Sequence, residues 1–283
     1  MSTFKPPRSL SFVALLMLII TSACSSALPA PKPTNTLESK SQVDLTITGS
    51  GTVTAILGAV QPAFEADLSS TRFKILSGSG TSAAIKGVLD HTLDIVAMAR
   101  KPKDDETAKG LLYTPIGNAS IAVVIHPDLN ISGLTKAQVV AIFFGKIANW
   151  SEVGGPDQKI VVYARDEDES ATQALRKAIF GDTPFPDTTA KVLTSTKDML
   201  TAVSGTKYSI GFASWPAVLV AQSAVKPVTI DGVLPKEATY PWILPLGIGY
   251  LDSRQADVQP LIDWLTSERG QAALHKLEVI INQ

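Results

Sequence analysis

Two hydrophobic periods take turns along the chain. From Asp44, DLTITGSG is a strand run that ends in glycines, and TVTAILGAVQPAFEADL behind it carries apolar residues at helical spacing. The unit repeats at once as RFKILSGSG and TSAAIKGVLDHTL. LDIVAMA, SIAVVIHP, KIVVYA, YSIGFAS and WILPLGIGYL have strand composition, whereas KAQVVAIFFG, SATQALRKAIFG, SWPAVLVAQS and VQPLIDWLTSERGQAALHKL have the helical period. Strands alternating with helices predict an α/β fold with mixed, mostly parallel sheets flanked by helices on both faces.

Upstream of Asp44 the pattern changes. Lys5 and Arg8 precede FVALLMLII at residues 12–20, and Thr21, Ser22 and Ala23 follow, which is the layout of a secretory signal over residues 1–23. Such a run is roughly half of what a membrane span needs, and no later stretch of about 20 apolar residues appears. Cys24, the one cysteine, stands directly after the small residues, where a lipoprotein signal peptidase would leave it as an acylated N-terminus. This resembles a bacterial lipobox, with Thr21 where Leu is commonest and Ile20 one place upstream. Residues 24–43 are rich in Ser, Pro, Thr and Lys and carry almost nothing to bury, so they are expected to be a flexible tether. The expectation is an exported chain, soluble apart from a lipid anchor on the outer face of a membrane.

With Lys5 and Arg8 removed, 23 basic residues face 26 acidic ones. A nucleic-acid binder calls for a basic surface, so that class drops away. A single cysteine leaves no disulfide framework, and the fold must rest on its core. Catalytic signatures are missing: the chain has no G-x-S-x-G elbow, phosphate-cradling G-x-x-x-x-G-K-[ST] loop or H-E-x-x-H pair, and His91, His126 and His275 are scattered. Neither an enzyme, a metal site nor a bound cofactor is expected.

Candidate chemistry gathers instead at strand–helix junctions. Gly49-Ser50-Gly51-Thr52 and Gly78-Ser79-Gly80-Thr81-Ser82 share one design. Glycines let the backbone approach a ligand, a helix start presents unpaired N–H groups, and hydroxyls add donors without charge, which suits a compact anion. A third junction follows KIVVYA, where Arg165 precedes Asp166, Glu167, Asp168, Glu169, Ser170, Ala171 and Thr172. An arginine there offers a planar fork for two anion oxygens, while the acidic run favours the positive end of the next helix.

These motifs resemble the phosphate-binding proteins of bacterial phosphate ABC transporters over nearly the whole exported chain. TGSGTV is similar to that family's first binding loop, and SGSGTSAAIKGVLDHTLDIVAMAR to its second loop with the helix and strand behind it. SIAVVIHPDLNISGLTKAQVVAIFFGKIANWSEVGG is similar to the crossover and following helix, with IFFGKIANWSEVGG the most specific segment. The resemblance implies a two-lobed, monomeric receptor of the periplasmic-binding-protein type II fold that passes phosphate or a similar oxyanion to a permease. Lobe 1 would comprise residues 44–125 and 241–283 and lobe 2 residues 126–240, with chain crossings near 125–128 and 236–242. Carried over by position, the ligand groups are Thr52 and Val53 by backbone, Ser79, Thr81 and Ser82, and Arg165, Ser170 and Thr172.

Two departures matter. The third loop lacks the glycine of the family's Ser-Gly-Thr helix start, and the carboxylate that accepts phosphate's proton in well-studied relatives is replaced by Arg100, with Ala99 before it. Arg100 thus joins the candidate ligand groups, and the acceptor is left to Glu167, Asp168 or Glu169. Protonated phosphate and fully ionised sulfate differ in that one hydrogen, so an acceptor decides between them. Another oxyanion, a small carboxylate, or an accessory or adhesion role without a ligand are the competing expectations.

Overall fold

The computed structural model describes residues 42–281. The expected signal, Cys24 and nearly all of the tether lie outside those residues.

Strand β1 (Val43–Gly49) leads through Ser50 into helix α1 (Gly51–Asp67), and β2 (Thr71–Ile75) leads through a glycine-rich loop into α2 (Thr81–Leu89). Strand β3 (Ile95–Met98), short helix α3 (Asp104–Ala108) and long strand β4 (Leu111–Ile125) follow. The middle of the chain supplies α4 (Lys136–Phe143), β5 (Val161–Arg165), α5 (Ser170–Leu175), β6 (Ala190–Leu193) and α6 (Thr196–Gly205). Then come β7 (Ser209–Ser214), α7 (Trp215–Val220), β8 (Lys226–Pro227), β9 (Ile243–Leu251), α8 (Gln255–Thr266) and α9 (Glu268–Lys276).

The strands join in the order β2-β1-β3-β9-β4-β7-β5-β6, with β8 beside β4. Outer neighbours are parallel, β1 with β2 and β3 and β5 with β6 and β7, whereas β4 and β9 run antiparallel to their partners. The mixed α/β sheet expected from the pattern is present, with its antiparallel pairs concentrated in the middle. The parallel strands β1, β2 and β5 end in the loops that carry the candidate anion groups, where α/β sheets hold their ligands.

Strand β4 links the two ends of the sheet. It pairs with β9 from Leu111 to Ser120 and with β7 from Ile121 to Ile125. The register slips between Pro115 and Gly117, next to a residue that cannot donate to a ladder. Where β4 changes partner, the buried Tyr240 hydroxyl donates to the Ile121 carbonyl at 3.0 Å, and burial pushes its pKa well up.

Around the sheet, Phe64 packs against Phe73 and Trp264, and Phe143 against Phe180, Phe185 and Phe212. The helical period of residues 258–277 predicts one helix, but the structure divides it at Ser267. That residue has extended φ and ψ and its hydroxyl accepts from the Gly270 amide as the cap of α9. Among the described residues, no helix is long and apolar enough to cross a membrane.

Candidate functional site

The first two glycine junctions are held together by their own backbones. Gly49 has φ 137°, and a Cβ there would stand 2.2 Å from the Ala97 carbonyl oxygen, so only glycine fits. The same carbonyl accepts from the Ser50 amide at 2.8 Å, and the Gly49 carbonyl accepts from the Gly80 amide at 3.1 Å. These contacts set the starts of α1 and α2 side by side. Neither helix has an acidic residue in its first turn, and neither Ser50 nor Gly80 makes a side-chain cap. The Ser50 hydroxyl is buried without a partner. The first-turn amides of α1, those of Thr52 and Val53 among them, have no intrahelical acceptor and carry the positive end of a 17-residue helix.

Arg165, the last residue of β5, brings the cation. Only 7% of it is exposed. One terminal nitrogen donates to Thr196 Oγ1 at 3.1 Å and the other to the Thr194 carbonyl at 3.3 Å, while Nε is buried without a partner. The nearest carboxylate is Glu169, whose Oε1 is 3.9 Å from the guanidinium. Glu169 caps α5: its Oε2 accepts from the amides of Ala171 at 2.7 Å and Thr172 at 3.2 Å. The helix-start amides of the third junction therefore already hold a carboxylate of the chain's own.

The three junctions border one cleft of about 1170 Å³, whose lining includes Ser79, Thr81, Ser82, Arg165, Ser170 and Glu169. Across it, Thr81 Oγ1 lies 3.2 Å from Ser170 Oγ, which joins the second junction to the third. The expected residues divide by placement. Ser79 and Ser82 are exposed on the wall, and Thr81 and Ser170 are buried where the walls meet. Thr52 and Val53 are buried and outside the lining, with Thr52 Oγ1 donating to Ser214 Oγ at 2.8 Å. Thr172 is fully buried behind the wall, its hydroxyl without a partner.

Arg100 lies outside the lining. Its fork grips Glu106 at 2.8 and 2.7 Å, and one nitrogen reaches Ser82 Oγ at 3.3 Å. The Arg100 hydrogen bond, opposed by burial and helped by the Lys103 amide, holds the Glu106 carboxyl below its ordinary value. Geometry thus places Arg100 as a brace between the second loop and α3.

Thr194 and Thr196 are partners of Arg165 that the sequence pattern does not reveal. Both lie at the end of short β6 and the start of α6, in the hydroxyl run Thr194-Ser195-Thr196, which repeats the composition of the glycine junctions without their glycines. That repetition is the signal by which they are detectable. Among the described residues, no three His, Cys, Asp or Glu side chains converge to hold a metal.

A strand-end cleft walled by helix starts and hydroxyls, with a buried arginine, places the protein among two-sided α/β binding domains. The model of the PBP superfamily domain matches residues 34–269, and the chain belongs to that superfamily. It is similar to the phosphate-binding protein PstS of Bacillus subtilis (strain 168), with 27% identity over 228 residues, 77% of this chain and 73% of that relative. PstS of Borreliella burgdorferi is 24% identical over 174 residues, 59% of this chain and 62% of its own length. Among solved structures, the putative phosphate ABC transporter substrate-binding protein with bound phosphate from Clostridium perfringens superposes with a TM-score of 0.76. It is 27% identical, and the match covers 85% of this chain and all of that one.

Proposed function

We propose that this protein is a solute receptor outside the cytoplasm, which captures an oxyanion, inorganic phosphate first, and delivers it to an ABC transporter permease. One observation carries the reading. Arg165 is buried at the cleft with its Nε unpartnered and no close carboxylate bond, so an anion is the group that would complete its hydrogen bonding. Hydroxyls of Ser79, Thr81, Ser82 and Ser170 supply further donors around a small tetrahedral ligand, and the positive end of α1 behind Ser50 and Gly51 adds to the field. The relatives named above, phosphate-binding proteins, point the same way. Binding of this kind is reversible and needs no nucleophile, so the reading makes the protein a carrier and not an enzyme.

The lobes of this reading are residues 44–125 with 241–283, and residues 126–240. The change of partner along β4 and the return of β9 to β3 support a chain that crosses twice. Acylated Cys24 would hold the receptor beside its permease, and the receptor would work as a monomer. Glu169 is the carboxylate best placed to accept a ligand proton, because its Oε1 faces Arg165 while Oε2 is held by amides.

Calorimetric titration of the purified protein with phosphate, arsenate and sulfate tests the reading. Saturable phosphate binding at one site is expected, and the absence of heat with every oxyanion would sink it. A second cargo class has one observation in its favour: the amides of Ala171 and Thr172 already seat a carboxylate. Tighter binding of oxalate or succinate than of phosphate would select it.

A further inference from the structure

The loop between Arg165 and α5 carries four consecutive acidic residues, and they do not face the same way. Asp166, Asp168 and Glu169 line the cleft, whereas Glu167 does not. Its carboxylate turns to Arg176, whose Nε and one terminal nitrogen meet the two oxygens at 2.9 and 2.6 Å. The remaining terminal nitrogen donates to the Thr183 carbonyl. The guanidinium also lies over the Phe185 ring, 3.9 Å from its centre, with Phe144 and Phe180 at 6.0 and 5.9 Å. Only 9% of Arg176 is exposed. It sits where α5 widens into a π-helical turn, Arg176–Phe180.

Each of these contacts restricts Arg176. Stacking fixes the plane of its fork, the Thr183 bond fixes its rotation, and the two parallel bonds to Glu167 then fix the loop. The Glu167 side chain is 55% exposed, so the pair adds little to global stability, but its two-point geometry still orders the segment. Four adjacent carboxylates repel one another and extend a free loop. Neutralising one of them from behind leaves the other three on the cleft side.

We propose that Arg176 is a positioning residue for the anion site: through Glu167 it clamps the loop that carries Arg165 at one end and Ser170 at the other. It touches no ligand. The claim rests on the oxyanion reading of the cleft, and its test separates the two.

The test uses the full chain with Glu167→Ala, which leaves the aromatic box intact, and Arg176→Lys, which keeps the charge but loses the fork. Amide hydrogen exchange is followed without ligand, and inorganic phosphate is titrated at a temperature well below unfolding. Exchange of residues 166–172 is expected to accelerate in both variants while β5 and β7 keep their protection. Phosphate affinity is expected to fall about tenfold, by analogy with the loss seen when an outer partner that orients a metal ligand is removed. Lysine gives no rescue. A structural role alone would lower the melting temperature without changing loop exchange or affinity. Unchanged loop exchange in both variants, or wild-type phosphate affinity despite faster exchange, overturns the positioning claim by itself. Absence of phosphate binding by the unmodified protein removes the oxyanion reading and the claim together.

Discussion

Arg165→Ala removes the cation of the cleft. Arg165 makes two neutral hydrogen bonds and one distant ion pair within the protein, and its Nε has no protein partner. A buried cation with so little compensation adds little to stability, and Glu169 keeps its two amide bonds when the arginine goes. The melting temperature should therefore move by no more than a few degrees, as for a loss of about 1 kcal/mol. Ligand binding should respond on another scale. Truncating one partner of a buried, hydrogen-bonded charge pair costs about 2–5 kcal/mol, which is roughly 30-fold to several thousandfold in affinity. Arg165→Lys should recover part of this, since an ammonium keeps the charge but reaches one oxygen where the fork reaches two. Calorimetric titration with phosphate beside thermal unfolding measures both quantities. Phosphate binding within twofold of the unmodified protein by both variants would mean that Arg165 serves only to balance the acidic loop, and the site as drawn would be refuted.

Glu169→Gln tests proton reading. If Glu169 accepts the hydrogen of phosphate, excess sulfate should compete weakly with the unmodified protein and strongly with the variant; unchanged competition assigns the acceptor elsewhere. Glu106 is held below its ordinary 4.5, so its ion pair with Arg100 stabilises the fold above that value and is lost as the pH falls through the depressed one. Glu106→Gln should accordingly be less stable than the unmodified protein at neutral pH and converge with it in acid, and parallel melting curves at every pH would contradict this. Cys24→Ser should release the protein from the membrane fraction, because removing the acylated residue removes the anchor; unchanged fractionation speaks against a lipid there.

Much of this architecture is legible in the amino-acid pattern, for physical reasons that also set the limit. Apolar runs announce β5, β7 and β9, alternation of apolar with polar residues announces β1, and the glycines before Thr52 and Thr81 announce two junctions, because positive φ and close approach leave few alternatives to glycine. Arg165 directly after KIVVYA is legible as a cation at a strand end. What escapes is carried by contacts between distant residues. β6 has four residues and only one of them buried, so it shows no period, and the partners that Arg165 finds beyond it are marked only by the hydroxyl run at residues 194–196. Glu169 is a poor capping residue by preference, yet it caps α5 from the position just before Ser170. Glu167 and Arg176 are nine positions apart at opposite ends of α5, outside the spacings at which helical ion pairs are recognised. Arg100 offers the same lesson in reverse: its position in the motif suggests the ligand, and its geometry gives it to Glu106.

The most direct test of the central claim is a crystal structure of the protein grown with inorganic phosphate. One phosphate is expected in the cleft, forked by Arg165 and within hydrogen-bonding distance of Ser79, Thr81 or Ser82 and of Ser170. Phosphate bound elsewhere, or a cleft that stays empty at saturating phosphate with Arg165 still on Thr194 and Thr196, would contradict it.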